Sequence, residues 1–326
     1  MATNAETVTE GINLRYWQDG AYFQSWYPVC LSTDLEPGKV KGIDFLNSRI
    51  IAYRGPDGAA VVQTAYCAHL GADLSQGELV EGEVRCPYHH WRYSAGGACT
   101  HVPSLGKALS TASIQNYPVA ERWGLIWVFN GREPIGEVPS LIGVTEDDVV
   151  FRAIDMGLHN VESWVPITNA LDFEHVKFVH NIPHDAEGRN YVVEPTSIRF
   201  DFDVLHPTGG GKVYYQNAFS MRDMQPFAPG HFTMVASNSP RPYWHHQFAV
   251  FAVMKPADGD EAGLQQAERT IDAFIGFGYQ LNAEDAGILK TIRFRPRGEA
   301  KLVKTDRGLA MLLDYFDRLP RAAPLD

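Results

Sequence analysis

Two short stretches constrain this chain more than anything else in it. Cys67-Ala68-His69 is followed, after 16 residues, by Cys86-Pro87-Tyr88-His89. Each stretch lies beside Gly or Pro and reads as a loop, and each offers one thiolate and one imidazole. Together they supply the ligands a two-iron, two-sulfide cluster needs when histidines hold one of its irons. That ligand set raises the reduction potential above that of all-cysteine clusters. Each loop would give its Cys to one iron and its His to the other. A structural zinc site is the alternative, but such sites usually pair C-x2–4-C with H-x3–5-H, whereas here Cys and His alternate within each loop. Chance is the other alternative. The chain has four cysteines, Cys30, Cys67, Cys86 and Cys99, too few for a disulfide scaffold in 326 residues. Cys30 and Cys99 read as small buried hydrophobes.

The remaining composition narrows the partners. A net charge of -11 argues against nucleic acid or an anionic membrane surface and would suit a partner with a basic docking face. Residues 1–20 are polar and lack the apolar core of a secretory signal. No apolar run approaches the roughly 18 residues of a membrane helix. A soluble, cytoplasmic protein is expected. Residues 26–131 read as short strands (48–53, 83–86 and 124–130 among them) broken by turns such as Gly55-Pro56-Asp57-Gly58. Two prolines and a glycine in 133–140 mark a linker, which predicts domains at 1–138 and 139–326. From 160 to 180 the pattern turns helical, with Leu171, Val176, Phe178 and Val179 as its apolar positions and Pro183 closing it. Strand-like runs follow at 191–204, 231–237 and 247–254. Two helices are expected at 264–292, with a candidate break at Gly276, and at 309–319. Strands followed by segregated helices indicate an α+β second domain.

The stretch Asn169-Ala-Leu-Asp172-Phe-Glu-His175-Val-Lys-Phe-Val-His180 carries a second constellation. Two imidazoles and a carboxylate with open positions form the facial triad of non-haem Fe(II) enzymes. His175 and His180 lie about 140° apart on an ideal helix, so both reach one metal only if the helix distorts or ends between them. Asn169, Asp172 and His175 recur every three residues and would share a face. Alone, H-x4-H is a weak signal, and a core or surface histidine is the commoner fate.

Cys67-Ala-His69-Leu-Gly-Ala-Asp-Leu-Ser and Cys86-Pro-Tyr-His89-His-Trp-Arg-Tyr resemble the two cluster loops of Rieske non-haem iron oxygenases, and N-x2-D-x2-H-x4-H resembles their iron-binding helix. The resemblance runs from Trp26-Tyr-Pro-Val to Thr305-Asp306-Arg and is specific at the two metal motifs. It implies that Cys67, His69, Cys86 and His89 hold a Rieske 2Fe–2S cluster. It implies that His175, His180 and a late-helix Asp bind mononuclear Fe(II). In Asn282-Ala-Glu284-Asp285-Ala-Gly-Ile288-Leu289 that residue is Asp285, with Glu284 the adjacent alternative; without the resemblance the pair reads as a solvated helix face. Asp172 is implied as a bridge between the catalytic histidine and a cluster histidine of the next subunit, orienting His175, with Asn169 beside it in the catalytic set. One departure is His90 where the family usually has Gly, which predicts a strained or left-handed turn. Ala72, Tyr88 and Trp91 stand where respiratory Rieske proteins have two further cysteines and a serine. Fewer donors to the cluster sulfurs mean a lower potential, as in the oxygenases.

The implied fold is an all-β Rieske domain followed by an antiparallel sheet-and-helix catalytic domain of helix-grip, START-like type. The implied activity is that of the oxygenase (alpha) component of a compact monooxygenase or demethylase, assembled as a homotrimer. It would use O2, and electrons from NAD(P)H through a separate reductase with or without a ferredoxin, to hydroxylate or O-/N-demethylate a small apolar substrate, aromatic or alicyclic. The chain lacks its own route from a nicotinamide: Gly209-Gly-Gly211 has no following helix, and no plant-type ferredoxin cysteine set remains. Phe219, Met221, Met224, Phe227, Phe232, Met234, Tyr243, Trp244, Phe248 and Phe251 could line an apolar cavity, although sheet core is the commoner fate of such residues. The alternatives are a ring cis-dihydroxylating dioxygenase and a non-catalytic Rieske electron-transfer protein.

Overall fold

A computed structural model of the protein describes residues 20–169, 171–181, 188–202, 211–216, 220–222, 230–256, 260–293 and 299–325. The first half is built from short strands: β1 (Tyr22–Phe23), β2 (Trp26–Leu31), β3 (Lys41–Phe45), β4 (Ser48–Arg54), β5 (Ala60–Thr64), β6 (Glu78–Val80), β7 (Glu83–Arg85), β8 (Arg92–Tyr93), β9 (Cys99–His101), β10 (Val119–Arg122) and β11 (Leu125–Phe129). They form small antiparallel sheets ordered β3-β4-β5, β6-β7-β8-β9 and β10-β11-β2. Central β4 buries Ile50, Ile51, Ala52 and Tyr53 in succession because both of its faces are covered. Leu46 and Asn47 turn the β3–β4 hairpin at φ +51° and +60°, the twist a two-residue hairpin turn requires.

The second half continues with β12 (Val149–His159), α1 (Trp164–Asn169), α2 (Phe173–Phe178), β13 (Gly188–Glu194), β14 (Ser197–Phe202), β15 (Gly211–Gln216), β16 (Ser220–Arg222), β17 (His231–Asn238), β18 (His245–Met254), α3 (Glu261–Leu289), α4 (Arg307–Arg318) and β19 (Arg321–Ala322). The seven strands β12 to β18 form one antiparallel sheet ordered β12-β18-β17-β16-β15-β14-β13. Together with α3 and α4 this is the expected α+β architecture. Alternation along β18 decides what each face covers. Phe248, Val250 and Ala252 join Trp26, Trp127 and Phe129 of the first half in one core. Ala249 and Phe251 pack with Met156 and Ile271 beneath α3.

Several expected elements are placed differently. The helical stretch 160–180 is two short helices, α1 and α2, because Leu171 and Asp172 close a tight turn on Thr168 and Asn169. Phe178, counted among its apolar positions, is 81 % exposed. The run 191–204 is interrupted at Pro195 and Thr196 between β13 and β14, whose strands pair as a hairpin. Long β12 was not anticipated. α3 passes Gly276 unbroken from an Asp260 cap. Gly278 serves packing instead, since a Cβ there would come within 3.1 Å of the Phe251 ring. Of the aromatic and methionine residues proposed for a cavity, Phe232, Met234 and Phe248 face the first half. Phe219, Met224 and Phe227 lie outside the described residues, as do Pro183 and the Gly209–Gly210 pair.

Candidate metal centres

The first constellation lies on two loops with the same backbone design. In one, the Cys67 amide donates to the Ala72 carbonyl at 3.0 Å, and the Gly71 amide returns to the Cys67 carbonyl at 2.8 Å. In the other, the Cys86 amide donates to the Trp91 carbonyl at 2.8 Å, and the His90 amide returns to Cys86 at 3.1 Å. The residue four after each cysteine must turn left-handed: Gly71 does so at φ +72° and His90 at φ +59°. His90 therefore takes a glycine's conformation at a cost of roughly 1–2 kcal/mol.

These loops sort the four donors by type. The Cys67 and Cys86 thiols are buried and in contact. His69 and His89 are exposed, their ring centroids 4.8 Å apart, and His69 stacks on Trp91 at 4.5 Å. Burial pushes the Cys67 thiol up, with the Tyr93 hydroxyl and a backbone contact at His69 opposing. A buried thiolate pair needs adjacent cations, and iron would supply them. Sulfurs inside and imidazoles outside fit a cluster with one iron of each ligation. Sequence reasoning missed Tyr93, whose hydroxyl lies 3.1 Å from Cys67 Sγ and accepts from the Ala68 amide at 3.2 Å. Its place in Cys86-x6-Tyr93 gave no sign of that contact, which bridges the two loops. Cys30 and Cys99 are buried, and burial pushes the Cys30 thiol up to about 12.

The second constellation depends on where α2 stops. Asp172 caps α2, its carboxylate accepting from the His175 amide at 3.4 Å. Val179 closes it on the His175 carbonyl at 2.7 Å, and Asn181 turns away at φ +52°. His180 thus lies beyond the helix end, free of the 140° separation, and its ring centroid is 5.2 Å from that of His175. Asp285 reaches in from α3, placing Oδ1 3.3 Å from His180 Nε2. One ligand atom from each of His175, His180 and Asp285 lies within 4.8 Å of the others. Two imidazoles and one carboxylate at that spacing fit a facial iron triad.

The neighbouring groups fix ring orientation. Glu284 Oε2 lies 2.7 Å from His180 Nδ1, turning Nε2 toward Asp285. His175 Nδ1 bonds the Asp172 backbone carbonyl. The expected carboxylate contact between Asp172 and the His175 ring is not the one observed: the Asp172 carboxylate meets the His175 backbone amide, because Asp172 is the helix cap. The Asn169 amide is 3.3 Å from His175 Nε2 and donates to Asp285 Oδ2 at 3.0 Å, tying ligand to ligand. Burial lifts the Asp285 carboxyl above the usual aspartate range, while His180 and His175 pull it down. Glu284 is held below its usual range by bonds from Gln280 and His180.

Residues 25–118 match the Rieske [2Fe-2S] domain, which supports a 2Fe–2S cluster in the first constellation. With these thiol-and-imidazole loops the chain carries a Rieske domain, and the proteins it is similar to include Rieske oxygenases. The cholesterol 7-desaturase of Bombyx mori is 30% identical over 247 residues, 68% of this chain and 53% of that protein. Aminopyrrolnitrin oxygenase PrnD of Pseudomonas fluorescens is 31% identical over 171 residues, 50% of this chain and 47% of its own. The chain thus spans about half the length of these curated relatives. The solved structure of dicamba monooxygenase bound to dicamba superposes with a TM-score of 0.69 at 20% identity, covering 90% of this chain and 96% of that one, so the fold is shared. Among the described residues, no helix is long and apolar enough to cross a membrane.

Proposed function

We propose that this chain is an oxygenase component that takes electrons singly from a separate NAD(P)H-dependent reductase, directly or through a ferredoxin. With O2 it hydroxylates, or O- or N-demethylates, a small, mainly apolar organic molecule in the cytoplasm. The observation that carries the reading is the approach of His175, His180 and Asp285 within 4.8 Å of one another, in a chain with a Rieske domain. Fe(II) held there by three protein ligands, with open positions, would supply the activation of O2.

The chain's own groups do the rest. Glu284 and the Asp172 carbonyl hold the two imidazoles with Nε2 inward, and the Asn169 amide would give up its contact with His175 Nε2 to a bound metal. The Asn169 amide restrains His175 against Asp285. At the other centre, the exposed His69 and His89 edges mark where electrons enter and leave. Leu70 and Tyr88 on that tip are 67% and 64% exposed, and Phe178 on α2 is likewise bare. Apolar side chains flanking both sites suit burial against another copy. In a head-to-tail homotrimer the tip of one chain would meet α2 of the next, with Asp172 between His175 and a cluster histidine.

Iron analysis with electron paramagnetic resonance tests the reading. Anaerobically handled protein should hold about three irons per chain and give a rhombic signal after dithionite. His175→Ala should leave about two irons, with the cluster's colour intact. Loss of both centres, or a third iron that stays, overturns the two-site assignment. With a surrogate reductase and isotope-labelled O2, one labelled oxygen should enter the product; two on one ring would make the chain a cis-dihydroxylating enzyme.

A further inference from the structure

Helix α3 carries four glycines in its 29 residues, and two of them have no packing reason. A Cβ at Gly263 would press on Pro256 and one at Gly278 on Phe251, so close approach explains both. At Gly276 and Gly287 a Cβ would meet nothing within 4 Å, and neither residue has the left-handed φ that favours glycine. Alanine would fit at either position. Glycine there weakens the helical state about fivefold relative to alanine.

The two positions bracket one stretch of α3. On its N-terminal side the helix is anchored. Asp260 caps the Ala262 and Gly263 amides, Arg152 of β12 bonds Glu268 and Asp272, and Ala267 and Ile271 are buried. Leu289 is buried at the other end. Between Ile271 and Leu289 no residue of α3 is buried. Two long hydrogen bonds tie the stretch to β12: the Tyr279 hydroxyl donates to the Asp155 carbonyl at 3.4 Å, and the Asn282 amide to Met156 Sδ, a weak acceptor, at 3.9 Å. Sparse burial and weak bonding mark a segment of low local stability. That segment carries both Glu284 and Asp285.

We propose that residues 276–287 form a hinged gate over the second metal centre. The gate bends where Gly276 and Gly287 leave helical backbone angles, and it swings the Asp285 carboxylate away from His175 and His180. The inference rests on reading those three residues as metal ligands. Closed, the gate is held by the Asn169 amide on Asp285 at 3.0 Å and by His180 on Glu284 at 2.7 Å. Open, it would clear the ligand face for a metal ion to enter or leave. A bound metal would latch it, because only the closed form brings the carboxylate to both imidazoles.

Hydrogen exchange read by mass spectrometry on the full-length protein tests this, before and after chelation of the mononuclear iron. Amides of 279–287 should exchange at least about tenfold faster than those of 262–275, and should slow when Fe(II) is restored. Gly276→Ala and Gly287→Ala should each slow exchange in 279–287 about fivefold, and Ala283→Gly should speed it by the same factor. Ala273→Gly, outside the gate, should leave it unchanged. Iron release to a chelator should slow in both alanine variants in step with exchange. Exchange in 279–287 as slow as in 262–275, or iron release indifferent to the alanines, overturns the proposal. So does a change in sedimentation in either alanine variant, which would mean that the bare glycines seat a helix of another copy. Iron content, measured on the same samples, separates the two failures. A full complement of iron over a stretch that exchanges slowly sinks the gate alone, and a stretch that opens in protein unable to take up the third iron sinks the iron reading alone.

Discussion

Tyr93 acts on the cluster ligands through one hydroxyl. Burial and the adjacent Cys67 keep the phenol protonated, so it remains a donor to the sulfur 3.1 Å away. A donor to a thiolate favours the reduced, more negative cluster. A bond worth about 1 kcal/mol converts to roughly 40 mV for one electron. Tyr93→Phe should therefore lower the midpoint potential by about that amount, read by protein-film voltammetry; an unchanged potential would deny the bond a role. Glu284 has the matching place at the second centre, on the far nitrogen of His180. Losing such a partner commonly weakens metal affinity by about 10–100-fold. Glu284→Ala should lose its mononuclear iron to a chelator at correspondingly lower concentration while the cluster's visible absorption holds. Neither residue was legible as a partner in the sequence. Glu284 stood there only as a substitute ligand, and its contact with His180 spans 104 positions, which local spacing does not encode.

At the scale of elements, α2 is useful because it is short. Its six residues end before His180, so the two imidazoles approach each other from a helix and from the chain beyond it. The sequence showed that a continuous helix would separate them, and it showed the motif; it did not show where the helix would end. Asp172 starts α2, and that separates two roles by mutation. Asn caps as well as Asp does, whereas Ala forfeits about 1 kcal/mol. Asp172→Asn should keep both metal centres and the melting temperature, yet slow substrate-coupled oxidation of the reduced cluster about tenfold or more in stopped-flow absorbance. An undiminished rate would leave Asp172 as a cap alone. The cluster loops were the most legible elements, since their Cys and His types at close spacing are required by the chemistry itself. The long β12 was not, because its two faces are both apolar and covered by different partners, one half of the chain and α3, which blurs alternation.

For the whole molecule, the bare apolar residues at the two metal sites matter most. If the Leu70–Tyr88 tip meets α2 of another copy, a charge at that contact should part the subunits. Phe178→Glu should shift sedimentation from trimer toward monomer and abolish turnover, with both iron centres retained; an unaltered trimer would place the contact elsewhere. The two halves of one chain, by contrast, are not separable units. Trp127 and Phe129 share a core with Phe232 and Phe248, β1 pairs with β19, and the Tyr117 hydroxyl donates to the Leu325 carbonyl. The stretch between β11 and β12 read as a boundary from its prolines and glycines, yet Trp26 Nε1 holds it by the Gly136 carbonyl at 2.8 Å. A protease that cuts there would sever the peptide without freeing either piece. The nicked protein should travel as one species through a sizing column and fall into two bands only once boiled in detergent.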